Sequence, residues 1–70
     1  MKITYDAEVD ALYIRLLEGD HEGRVLQLND EISLNIGAGE VLVGIEVLDA
    51  SEVLGSGQVP EIVLENLKAS

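Results

Sequence analysis

The 70-residue chain reads as a β-rich α+β domain: an antiparallel five-strand meander sheet followed by one short helix and a C-terminal helix or extra strand. Three observations predict it. Residues 1–17 alternate apolar and polar, with Ile3 and Tyr5, then Leu12, Ile14 and Leu16, facing one way on two strands, the period of two expected of half-buried strands. Turn-forming residues interrupt the alternation at short intervals. The run Glu40 to Leu48 is the strongest strand, with Val41, Val43, Ile45 and Val47 on one face.

The first strand is expected over Lys2 to Tyr5 and the second over Ala11 to Leu17, joined by the acidic corner Asp6 to Asp10. Glu18 to Gly23 then reads as a loop, with two glycines among polar residues. A third strand, Arg24 to Leu28, meets a fourth, Glu31 to Ile36, across Asn29-Asp30, residues that tolerate the positive φ of a tight hairpin. Gly37-Ala38-Gly39 turns the chain into the fifth strand. Asp49 or Ser51 can accept hydrogen bonds from the free amides of a short helix that ends before Gly55. Ser56 to Gln58 is a connector, and residues 60–67 suit either a helix begun by Pro60 or a strand favoured by Ile62-Val63. Residues 1–55 thus form a single domain and 56–70 an extension packed on it or on a neighbouring protomer.

A chain this short buries only roughly 60% of the surface that its unfolded form exposes. It has no cysteine, so neither disulfides nor a thiolate zinc site supplements the core, and a reducing compartment is expected. Neither a signal-like opening nor an apolar run long enough to span a bilayer is present, so the sequence points to a soluble, cytoplasmic protein without a membrane partner. The core residues are 11 Leu, 8 Val and 6 Ile, against two Tyr and no Phe or Trp, and offer no aromatic platform for stacking bases.

Four Lys or Arg face 14 Asp or Glu, a formal net charge of −10, and from Val25 to Leu67 eight acids occur without a base. Such a surface repels nucleic acid, whose phosphates require cations. An extended partner, if the chain has one, is expected to be a basic protein; the alternative is that the charge serves solubility. Leu42 and Leu48 with Gly44, and Tyr13 and Leu17, fall on the sheet face opposite the main apolar one. Both faces then carry apolar groups, and one short helix covers only one of them. A homo-oligomer, or the C-terminal segment, is expected to cover the other.

Candidate chemistry is sparse. Asp6, Glu8 and Asp10 have the alternate spacing that opens a calcium loop, but Ala11 stands where the loop requires Gly and Leu17 where it requires a bidentate Glu. Asp6 is more simply a turn-former that accepts nearby amides. His21, the only histidine, lies between Asp20 and Glu22 in a loop, where a histidine is ordinarily solvated. The glycines Gly37 and Gly39 precede a strand and not a helix, so they do not hold a phosphate. Glu46, an acid inside an apolar strand, is expected to pair with Arg15 across the sheet or to line a cleft between protomers with it. Asp6, Asp10, Tyr13, Arg15 and Glu46 therefore form the candidate cluster, with no catalytic residue, cofactor or metal assigned.

Tyr5-Asp6, Asp10 to Leu16 and Val43 to Ser51 resemble the signature of the small prokaryotic family DUF2283, a domain of unknown function, over residues 1–54 or so. The resemblance implies a compact β-meander with a short helix and no established activity. Some members are encoded beside a small basic protein resembling ribonuclease toxins of the RelE superfamily, which implies an antitoxin role by analogy. The leading expectation is a non-enzymatic, oligomeric, acidic interaction module. The rivals are a small enzyme using Asp6, Asp10, Tyr13 and Glu46 at a protomer interface, and a carboxylate metal-binding protein.

Overall fold

A computed structural model describes residues 1–19, 23–58, 61–63 and 65. Five strands form one antiparallel sheet: β1 (Lys2–Asp6), β2 (Ala11–Arg15), β3 (Gly23–Gln27), β4 (Ile32–Gly37) and β5 (Leu42–Val47), followed by the helix α1 (Ala50–Gly55). The β-rich α+β class, the five antiparallel strands and the short helix are as the sequence predicts. The lateral order is β1-β2-β5-β4-β3, so the strands are not neighbours in simple succession. A hairpin (β1, β2) and a three-strand meander (β3 to β5) are joined where β2 pairs with β5, and the loop after β2 carries the chain to the far edge.

Local chemistry sets the turns. Asp6 Oδ1 accepts the amide of Glu8 at 3.0 Å, the turn-forming role expected of it. Asn29 Oδ1 likewise accepts the amides of Glu31 and Ile32 at 2.9 and 2.8 Å and closes the β3–β4 hairpin. The β4–β5 connection is a 3₁₀ turn (Ala38–Glu40) in which Gly39 and Glu40 have φ of 75° and 61°. Arg24 bridges to Glu40 across this edge at 2.5 Å, but both side chains are mostly exposed, so the pair adds little stability.

Register assigns each side chain to a face. On one face the row Ile3–Ile14–Ile45–Leu34–Leu26 crosses all five strands, beside the row Tyr5–Leu12–Val47–Ile32. On the other lie Thr4–Tyr13–Glu46–Ser33–Gln27 and Lys2–Arg15–Gly44–Asn35–Val25. The second face is therefore mainly polar, which corrects the expectation of apolar groups on both. Leu17 and Leu48, assigned to it from spacing, lie beyond the ends of β2 and β5. The uncovered apolar surface is instead on the helix side.

The cause is the length of α1. Its six residues seat Ala50 against Leu12 and Val47, with Tyr5, Ile14, Ile32 and Ile45 packed partly around them. That reaches one row. The ends of the other row, Ile3 and Leu26, remain 38% and 41% exposed. Among the described residues only Leu12, Val43, Val47 and Ala50 are buried apolar side chains. Of residues 60–67, only 61–63 and 65 are described, and these are in neither helix nor strand; the rest of that segment and His21 with its neighbours Asp20 and Glu22 lie outside the described residues.

With so small a core, Leu12→Ala should cost about 2–5 kcal/mol, comparable to the whole stability that a single core of this size supplies. Urea unfolding followed by circular dichroism should show the cooperative transition lost or shifted to very low denaturant. Val25→Ala, at a residue 64% exposed, should leave the midpoint nearly unchanged.

Candidate functional site

The five candidate residues divide between the two faces. Asp10 ends the β1–β2 corner with a left-handed φ of 54°, a conformation that Asp tolerates better than most residues. This aims the residue at the start of α1. Its carbonyl accepts the amide of Ala50 at 2.9 Å, Oδ1 accepts the amide of Ser51 at 3.0 Å, and Oδ2 accepts the Ser51 hydroxyl at 2.6 Å. Oδ1 also accepts the Tyr5 hydroxyl at 2.6 Å. A carboxylate has acceptor sites for all three side-chain bonds.

These bonds correct the expected cap. Asp49 occupies the N-cap position with φ of 50° but makes no side-chain bond to the helix, and Ser51 donates to Asp10 and does not accept. The free amides at the start of α1 are satisfied from a residue about forty positions earlier in the chain. At the other end the left-handed Ser56 and Gly57 close the helix on the Ser51 carbonyl. The Ser51 hydroxyl, then the Tyr5 hydroxyl, hold the Asp10 carboxyl below its ordinary pKa against the opposing effect of burial. The same hydrogen bond to Asp10 pushes the Tyr5 phenol above its ordinary value.

Tyr13, Arg15 and Glu46 lie on the polar face, away from Asp10, and Asp6 stays exposed at its turn. The expected Arg15–Glu46 pair is absent. Register sets Glu46 opposite Tyr13 and Ser33, whereas Arg15 stands opposite Gly44. Arg15 Nε donates to the Leu17 carbonyl at 2.9 Å and Nη2 to that of Gly19, pinning the start of the loop after β2. Glu46 is exposed, and its place in an apolar strand follows from the alternation that puts it in the polar row.

Tyr13 does more than its place in the row requires. Its ring leans over Gly44, so that a Cβ there would lie 2.2 Å from the hydroxyl and 2.6 Å from Cζ. The phenol reaches across β5 to β4, where its oxygen accepts a hydrogen bond from Asn35 Nδ2 at 2.8 Å. Glycine is thus required at 44 by a side chain from the neighbouring strand, a close approach of the kind that places glycine inside strands. Beside this, the β4–β5 register shifts between Asn35 and Ile36, a bulge that breaks the alternation. Val43, only 6% exposed, consequently sits outside the core cluster and lines a cleft with Tyr13, Arg15 and Asn35.

That cleft, about 280 Å³, is completed by Ile36 and by Gly23, Arg24 and Val25 of β3. A side chain at Gly23 would collide with the Ile36 backbone, its Cβ falling 1.7 Å from the carbonyl oxygen. Sequence reasoning singled out Tyr13 and Arg15 but missed Asn35, Val43 and Gly23; an isolated glycine in a strand, Gly44, was the one signal of a close approach. Among the described residues no three of His, Cys, Asp and Glu are grouped to hold a metal ion.

The DUF2283 profile, described as a protein of unknown function, matches residues 2–51 and so spans all five strands and the start of α1. The chain belongs to the DUF2283 family. No curated protein and no solved structure matches it. Two groups of residues stand out within the matched span. Tyr5, Asp10 and Ser51 make the bond network at the helix start, while Tyr13, Arg15, Val43 and Gly44 surround the cleft.

Because the folded Asp10 carboxyl holds its proton less tightly than the unfolded one, its ionisation contributes stability above the unfolded carboxyl range, about pH 4, that is lost as pH falls through the folded value. Asp10→Asn should therefore melt below the parent chain at pH 7, with the gap closing under about pH 4; a gap that does not change with pH would contradict this. Ser51→Ala should lower the melting temperature by roughly 5 °C, the loss of one helix-start hydrogen bond in a domain of this size. In Gly44→Ala the Tyr13 ring must swing aside, so the loss of stability should be larger in the parent chain than in a Tyr13→Ala background, a coupling that a double-mutant cycle reads directly.

Proposed function

We propose that this DUF2283 chain is a non-enzymatic, self-associating interaction module. The observation that carries the reading is the row Ile3–Ile14–Ile45–Leu34–Leu26, an aliphatic band without a charge that runs from edge to edge and is left partly open by α1. The flanking row on that face, Tyr5–Leu12–Val47–Ile32, is also uncharged. Two copies can bring these two rows together without setting a carboxylate of one row against the other, even at a net charge of −10 each. Apolar residues of the extension after Gly55, Ile62 and Val63 among them, offer further cover, from the same chain or a neighbouring one.

The outward charge supports a basic protein as the partner of that assembly. The eight acids between Val25 and Leu67 meet no base in the same stretch, an arrangement that attracts a cationic protein and speeds the encounter. Neutralisation of a basic ribonuclease toxin is the specific form that the genomic habit of some family members favours. The division of Asp10 from Tyr13 and Glu46 between opposite faces speaks against the enzyme alternative within one protomer, since acid and base must lie within hydrogen-bond reach of one substrate.

Sedimentation equilibrium should give at least twice the 7.5 kDa of one chain, and Leu26→Glu, at the exposed edge of the aliphatic row, should return the mass to that of a folded monomer. A parent chain that stays monomeric at millimolar concentration would end the self-association reading. Co-expression with basic proteins encoded beside it, followed by size exclusion at low and high salt, tests the second half. Co-elution should weaken as salt screens the charges.

A further inference from the structure

We propose that the cleft between Tyr13, Arg15 and Asn35 binds a small carboxylate that carries a compact apolar group. The inference concerns the face opposite the proposed assembly surface and stands or falls independently of it.

The argument begins with charge. On a protein with a net charge of −10, both arginines line this cleft, and no Asp or Glu is among its described lining residues. Arg24 is already paired with Glu40. Arg15 is different: it is half-buried, and its partners are the neutral carbonyls of Leu17 and Gly19. Those bonds hold the guanidinium in place and use Nε and one N–H of Nη2; among the described residues the second N–H of Nη2 and both of Nη1 meet no acceptor. A fixed guanidinium whose charge no described carboxylate offsets suits a carboxylate ligand.

Hydrogen-bond direction adds a second donor. The Tyr13 oxygen accepts from Asn35 Nδ2, so its own proton is available to a ligand. The hydroxyl stands above Gly44, the residue that register places between Arg15 and Asn35, and Tyr13 and Arg15 both line the cleft. Two backbone features keep the space open: Gly44 admits the ring, and the bulge sets Val43 beside it. Val43, freed from the core by the bulge, and Val25 on the same face supply apolar contact that a bare phosphate would not use. At about 280 Å³ the cleft is at the small end of ligand sites, which limits the body of the ligand. One guanidinium that no described carboxylate offsets matches one carboxylate better than a dianion.

The test is an NMR titration of the full-length ¹⁵N-labelled chain, in about 0.15 M salt, with benzoate, its neutral isostere benzamide, and inorganic phosphate. Benzoate should give saturable shifts at the amides of Val43, Gly44 and Asn35 and at Arg15 Nε–H, with benzamide and phosphate at least about tenfold weaker. Tyr13→Phe, which removes only the hydroxyl, and Arg15→Gln should each weaken benzoate about tenfold. Should Arg15→Gln fail to fold, Tyr13→Phe decides alone. Absence of saturable shifts at these groups overturns the proposal, as does benzamide binding equal to benzoate or affinity untouched by Tyr13→Phe. Phosphate binding as tight as benzoate overturns the carboxylate assignment. The Leu26→Glu chain should bind benzoate like the parent, which separates this site from self-association.

Discussion

The carboxylate of Asp10 is the joint on which the buried part of this domain depends. A helix of six residues has too few internal hydrogen bonds to form on its own, and most of its stability must come from what holds its ends and its one packed face. Asp10 supplies the first by taking the amides of Ala50 and Ser51, and the Tyr5 hydroxyl fixes the carboxylate from the other side. With the helix start anchored, Ala50 is pressed fully out of solvent against Leu12 and Val47. The polar joint and the apolar cluster are therefore one cooperative unit: hydrogen bonds within reach of solvent decide where Ala50, the most deeply buried apolar side chain among the described residues, sits.

That arrangement has a structural consequence. A helix anchored at one corner and ended after six residues by Ser56 and Gly57 covers one row of the sheet and leaves the next partly bare. Branched aliphatics at cross-strand positions stabilise the sheet through their neighbours even without a covering layer. Yet the row from Ile3 to Leu26 is more apolar than solubility alone would favour. The two apolar rows hold no charged side chain of their own, and the acids on that side, Asp10 and Glu52, stand at the helix beside them.

The sequence made the elements legible and left the pairing obscure. Period-two alternation located the strands because each has one wet and one dry face; Asp6 marked its turn by the hydrogen bond its side chain makes locally, whereas Asn29-Asp30, chosen for positive φ, do not adopt it, and Asn29 closes the turn by accepting two amides. Strand order was not legible, because the loop after β2 carries no signal of which edge it feeds. The Arg15–Glu46 pairing failed for a different reason: β5 does lie beside β2, but register sets the two residues diagonally and Arg15 turns to the Leu17 and Gly19 carbonyls instead. The Asp10 cap was hidden by distance, since capping residues are sought beside the helix and this one comes from the first hairpin.

The structure also separates the residues of the matched span that build the helix joint and core from those that do not. Tyr5, Asp10, Ala50 and Ser51 are accounted for by the helix joint, and Leu12, Ile45 and Val47 by the core beneath it. Tyr13, Gly44 and the bulge at Val43 serve neither, and Arg15 serves only to pin the start of the loop after β2. Glycine inside a central strand weakens it, and a bulge interrupts its ladder, so both lower stability at the middle of the sheet. What they produce is a tyrosine hydroxyl and a guanidinium set beside an open space on an otherwise flat polar face. A fold with so little stability to spare retains such features at a cost, and a ligand for the space they frame gives that cost a physical reason.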